Sequence, residues 1–146
     1  MPEKSIGFEV RMLSNLIRRD VEKHASLHNA GSDNGVRGWA IDFFYENRNR
    51  DIFQKDFEEK FQIRRSTASN ILKLMEKNGY ITRISVESDA RLKKIVLTDK
   101  AVQLHNFIIK DIEKREKRMR DGLSEVELET FFRVIEKLRK NLENEE

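Results

Sequence analysis

Between Arg64 and Gly79 two kinds of residue recur at helical period, and few folds accommodate both. Ala68, Ile71, Leu72, Leu74 and Met75 fall at i, i+3, i+4, i+6 and i+7, which predicts the inner stripe of an amphipathic helix. The opposite face carries Arg65, Ser66, Ser69, Asn70, Lys73 and Lys77. Lys77 puts a cation in the last turn, and Gly79 supplies a C′ stop. Short hydrogen-bonding side chains at the front of a helix, with cations at its flanks, suit a helix whose N-terminal half enters a major groove. An ordinary solvated surface helix has the same composition, so the flanking sequence must decide.

Charge is distributed unevenly. The net charge is +3, yet residues 1–63 hold 10 Lys/Arg against 11 Asp/Glu and residues 101–146 again 10 against 11. Residues 64–100 hold 9 against 4, so the whole positive excess (+5) lies in the stretch that contains the helix. Basic charge gathered in one stretch is the electrostatic footprint of a nucleic-acid surface.

The segments before this helix are also helical in pattern. From Ser5 to about Asn29, Phe8, Met12/Leu13, Leu16/Ile17 and Val21 keep helical spacing and predict a long first helix. Residues 29–35 form a turn-rich loop, and Val36, Trp39/Ala40 and Phe43/Phe44 mark a second helix. Ile52-Phe53 suggests a brief edge strand. Residues 54–60 suggest a short helix, with Phe53, Phe57 and Phe61 four apart. A short helix, a tight turn and a helix with a polar outer face make a helix-turn-helix, although this turn lacks the frequent glycine.

After Gly79 the period changes from helical to extended. Ile81–Val86 and Ile95–Thr98 are rich in β-branched residues, with the polar, basic stretch Glu87–Lys94 between them. Two strands joined by a cationic loop directly after a helix-turn-helix make a wing. Its tip is suited to the backbone or to a narrow, negative minor groove, where Arg is favoured.

Thr98 is then an N-cap with Asp99 in the first turn, and Ala101, Leu104/His105, Ile108, Ile112 and Met119 continue a helix to about Asp121-Gly122. Ser124 and Glu127 form a capping box, with Leu123 and Leu128 placed for a hydrophobic staple. The last helix bears Leu128, Phe131/Phe132, Ile135, Leu138 and Leu142. Three long amphipathic helices exceed what a winged helix of roughly 70 residues can cover, so their apolar faces need a partner. A twofold dimer is the economical answer.

The expected fold is therefore mainly α with a small β wing. It is one domain over 1–146, with a winged helix-turn-helix at 34–97 flanked by N- and C-terminal dimerisation helices at 5–30 and 98–144. This order resembles the MarR family, the multiple-antibiotic-resistance type of regulator. The similarity rests on the run Ile63–Leu72, the exit Met75–Ile81, and Asp89-x-Arg91 followed by Leu97-Thr98. It implies a homodimeric transcriptional regulator, usually a ligand-responsive repressor, that binds an inverted repeat in double-stranded DNA. It further implies that Arg91 enters the minor groove with Asp89 orienting the wing, and that Arg65, Ser66, Thr67, Ser69, Asn70 and Lys73 face the major groove. The expected DNA surface is completed by Arg64, Arg83, Lys93 and Lys94. Expected partners are double-stranded DNA, a second copy of the chain and a small-molecule effector. The alternative is a winged-helix interaction module that works through its helical dimer surface without specific DNA binding.

Other functions find less support. There is no cysteine, which excludes disulfides, thiolate chemistry and Cys-ligated zinc. His24 and His28 stand four apart on the first helix, and His105 lies on the fifth. Such pairs are usually surface coincidences, so neither a metal nor any other cofactor is expected. The resemblance also implies a phenolic-ligand pocket between the winged helix and the dimer helices, for which Trp39, Phe43, Phe44 and the aromatic residues of the first helix are candidates, although they are better explained as core. No nucleophile–base pair or phosphate loop has catalytic spacing, so no catalytic residue and no enzyme is expected. No apolar run approaches 18 residues, so no membrane span is expected. The N-terminus Met1-Pro2-Glu3-Lys4-Ser5 lacks the apolar core of a signal peptide, which gives a cytoplasmic expectation.

Overall fold

A computed structural model describes residues 4–27 and 36–144. In chain order they form α1 (Ile6–Leu27), α2 (Val36–Glu46), α3 (Gln54–Phe61), α4 (Arg65–Lys77), β1 (Ile81–Val86), β2 (Asp89–Leu97), α5 (Asp99–Arg120) and α6 (Glu125–Glu143). The chain divides into two compact units, residues 1–109 and residues 110–146. The predicted loop at 29–35 and His28 lie outside the described residues.

The first unit is organised by one core. Ala40, Ile41 and Phe44 of α2, Phe57 of α3, Ala68, Leu72 and Met75 of α4, and Ile81 and Ile95 of the sheet are all buried. Phe57, Ile41, Leu72, Met75 and Ile81 are the largest fully buried side chains, and each contributes about 1.5–3 kcal/mol by leaving water. The phenylalanines spaced four apart join α3 to α2: Phe57 lies 5.6 Å from Phe44, and Phe61 meets Phe43 edge-on at 5.9 Å. Phe43 and Phe44 are therefore committed to packing, whereas Trp39 is 45% exposed.

The turn that lacks glycine is closed by Gln62, which adopts the left-handed conformation (φ 51°, ψ 48°). A non-glycine residue there carries a cost of roughly 1–2 kcal/mol. The Gln62 amide of the side chain donates to the Glu59 carbonyl at 2.8 Å, which offsets part of it. At the far end of α4, Gly79 has φ +78°. Its N–H donates to Glu76 and that of Tyr80 to Met75, the paired bonds of a Schellman stop, with Tyr80 buried beside Met75. Leu74 departs from the predicted inner stripe. It is 43% exposed, because a step of six residues turns about 240° round a helix and leaves the buried face.

The sheet is two-stranded and antiparallel, with Ile81 opposite Leu97 and Ser85 opposite Lys93. Two expectations are corrected here. The predicted edge strand at Ile52-Phe53 is a single contact in which Ile95 N–H donates to the Ile52 carbonyl at 2.7 Å. The predicted long loop at 87–94 is mostly strand, and only Glu87 and Ser88 form the turn. Lys93 and Lys94 pair with β1 through their backbones, and polarity alone had concealed that extension. The register then breaks, since Val86 pairs with Asp89. Ala90, Arg91 and Leu92 have no register partner on β1 and form an irregular bulge at the wing tip, where the Ser85 hydroxyl donates to the Ala90 carbonyl at 3.4 Å.

Thr98 links wing and helix. Its hydroxyl donates to the Gly79 carbonyl at 2.6 Å and accepts from the Ala101 N–H at 3.3 Å, so it caps α5 while holding the end of α4. In the second unit Gly122 takes φ +79°. Ser124 and Glu127 form the reciprocal capping box, both bonds at 3.1 Å. No residue of α6 is buried. Phe131, Phe132 and Leu142 stand exposed on α6, as do Phe8, Leu13 and Leu16 on α1.

Candidate nucleic-acid interface

The front of α4 is bare. Arg64 occupies the N-cap position without a side-chain cap, and no acidic residue lies in the first turn. The leading amides therefore present the positive end of the helix dipole, where anions such as phosphate are favoured. Arg64, Arg65, Ser66, Thr67, Asn70 and Lys73 are all exposed around and along this end.

Gln54 explains how the face is aimed. Its side-chain amide donates to the Ser69 hydroxyl at 2.9 Å and to the Arg65 carbonyl at 3.4 Å, tying the start of α3 to α4. Ser69 is accordingly half-buried and holds the two helices in register, rather than standing free on the outer face. Sequence reasoning overlooked Gln54, because nothing local distinguishes it from a solvated residue of a short helix.

The wing presents Arg91. Its side chain is 93% exposed, while Asp89 Oδ1 accepts from its backbone N–H at 2.9 Å and lies 3.5 Å from its Nε. Asp89 thus anchors the bulge and leaves most of the guanidinium fork outward. Lys93 is exposed. Lys94 is half-buried and lies 3.6 Å from Asp51, so its charge is shared with the segment before α3. Arg83 points to the less exposed side of β1, and its Nε and one Nη are buried without a hydrogen-bond partner.

A second polar cluster joins α2 and α5. His105 of α5 is buried, and its Nε2 donates to Asp42 Oδ1 of α2 at 3.0 Å. The Tyr45 ring stacks on the imidazole at a centroid distance of 3.8 Å, and the Arg48 guanidinium lies 4.0 Å above Tyr45. Asp42, Glu46 and His105 bring one potential ligand atom each within 4.8 Å of one another. This group joins residues 63 positions apart, so spacing along the chain carries no signal for it. The histidines considered from sequence do not assemble in the same way. His24 donates through Nδ1 to the Asp20 carbonyl at 2.8 Å, and His28 lies outside the described residues.

Comparison with known proteins agrees with this arrangement. The sequence pattern described as MarR family matches residues 37–92. The uncharacterised HTH-type transcriptional regulator YybA of Bacillus subtilis (strain 168) is 27% identical over 101 residues, which cover 69% of this chain and 66% of that protein. The heme sensor protein PefR from Streptococcus agalactiae, solved in complex with heme, is 30% identical over 97% of this chain and 95% of that one, with a TM-score of 0.67. The fold is also shared with the S. aureus MepR–DNA complex at a TM-score of 0.85, with 22% identity, 96% of this chain and 99% of that chain covered. The helix-turn-helix, the bulged wing and the similarity along almost the whole chain make this protein a member of the MarR family.

Proposed function

We propose that the protein is a homodimeric, sequence-specific regulator of transcription that binds an inverted repeat in double-stranded DNA. The observation that carries this reading is the uncapped, acid-free end of α4 ringed by Arg64 and Arg65, beside a wing whose Arg91 is anchored at its backbone and exposed at its charge. In this reading α4 enters the major groove with Ser66, Thr67 and Asn70 at base edges, and Arg91 reaches the neighbouring minor groove. Arg64, Arg65, Lys73, Lys93 and Lys94 supply phosphate contacts, which position the protein without specifying sequence. Ser69 and Asp89 act one step back, by holding α4 and Arg91.

The dimer would form through the apolar faces of the terminal helices, where Phe8, Leu13 and Leu16 of α1 and Phe131 and Phe132 of α6 are exposed. Regulation by a small-molecule effector, repression as the outcome and a cytoplasmic location belong to the same proposal. Among the described residues no helix is long and apolar enough to cross a membrane. Relatives are transcription regulators, and the chain is proposed to act by binding rather than by catalysis.

The test is selection of the purified protein against a random double-stranded DNA pool. The expected result is enrichment of an inverted repeat with half-sites about one helical turn apart. A folded dimer that enriches nothing, and is not retained on heparin at low salt, would instead support an interaction module. The exposed apolar faces of α1 and α6 are the observation that favours that second reading.

A further inference from the structure

We propose that Asp42, Glu46 and His105 form a binding site for a divalent transition cation of the zinc class. The three residues supply one imidazole nitrogen and two carboxylates. That donor set favours zinc-like ions over magnesium or calcium, which prefer all-oxygen shells. Two carboxylates also match the charge of a divalent ion, so the occupied site carries no excess charge into a partly buried position.

The geometry is close to what ligation needs. With metal–ligand bonds near 2.1 Å, two ligands of a tetrahedral ion stand about 3.4 Å apart. His105 Nε2 and Asp42 Oδ1 are 3.0 Å apart, so the pair opens by about 0.4 Å to admit the ion. On ligation the ring proton moves through solvent from Nε2 to Nδ1, the Nε2 lone pair binds the metal, and the Asp42 carboxylate exchanges a hydrogen bond for a coordinate bond. Glu46 is the last residue of α2 and exposed, one turn beyond Asp42. It can swing the remaining distance, and solvent on its side offers both an entry path and a water for the fourth position. The imidazole itself is already held by the Tyr45 ring stacked on it at 3.8 Å, so little of its freedom is left to lose on binding.

The experiment uses the full chain freed of metal with a chelator. Zn2+ is followed by titration calorimetry and Co2+ by its visible absorption. The expected result is one ion per chain and a Co2+ spectrum of low-coordinate type. Affinity should fall at least about tenfold in Glu46→Gln and in His105→Gln, but remain unchanged in His24→Gln. Glu46 is exposed, so Glu46→Gln tests the site even if His105→Gln perturbs folding. Failure of the wild-type chain to take up either ion overturns the proposal. Uptake that Glu46→Gln leaves intact, or that His24→Gln removes, overturns it equally, since the ion would then lie elsewhere. DNA binding enters none of these readouts.

Discussion

Arg91→Ala should separate binding from folding more cleanly than any other substitution in the wing. The side chain is 93% exposed and contributes nothing to the core, so its removal should change stability by less than about 0.5 kcal/mol. Its ion pair with the half-buried Asp89 is long, at 3.5 Å, and open to solvent on the arginine side, and a pair of that kind adds little. The loss should appear in DNA binding, at about 1–3 kcal/mol for a groove-reading arginine, or a roughly 5- to 160-fold rise in Kd. The partner substitution Asp89→Ala sharpens the test, because two effects oppose each other. It removes a negative charge, taking residues 64–100 from +5 to +6, which should tighten non-specific binding. It also frees the Arg91 backbone from its 2.9 Å tether, which should weaken specific binding. The ratio of specific to non-specific affinity should therefore fall in both variants, while non-specific affinity falls only in Arg91→Ala. Fluorescence anisotropy on selected and scrambled duplexes at one fixed salt concentration gives both numbers. Unchanged operator affinity in Arg91→Ala, with an unchanged melting temperature, would remove Arg91 from the DNA surface and refute the role assigned to the wing.

Three further outcomes are expected. Leu72→Ala empties a fully buried position and should cost about 2–5 kcal/mol; a urea midpoint equal to that of the wild type would mean that α4 is not seated on this core. Gly79→Ala forces a side chain into φ +78° at roughly 1–2 kcal/mol. The nearest side-chain atom to the new Cβ is 3.9 Å away, so a loss well beyond that range would point to a clash rather than backbone strain. Leu13→Glu alters a residue 47% exposed in the single chain, so the folded chain should tolerate it while the dimer dissociates; sedimentation velocity across a concentration series checks this, and an unaltered mass would exclude α1 from the interface.

What the amino-acid sequence determined by itself was chiefly what neighbours within a turn or two of chain govern. The Ser124–Glu127 box, the Thr98 cap and the Gly79 stop each join residues no more than a few positions apart, so spacing was enough to find them. The stripe of α4 was legible for the same reason. Its one misplaced member, Leu74, shows that apolarity without the correct angle does not imply burial. The wing was visible as β-branched runs, but β2 extends back to Asp89 because backbone pairing with β1 recruits polar residues that have no strand signature of their own.

Tertiary structure decided which side chains work in pairs. Gln54 and Ser69 meet across the helix-turn-helix, 15 positions apart, and turn a candidate base contact into a brace for α4. Lys94 is drawn toward Asp51, which leaves Arg91 and Lys93 as the exposed cations of the strand. Asp42 and His105 meet only because α2 and α5 pack together. The hydrogen bond between them depends on the angle at which two helices dock, a quantity set by the whole core and encoded in no short stretch of residues.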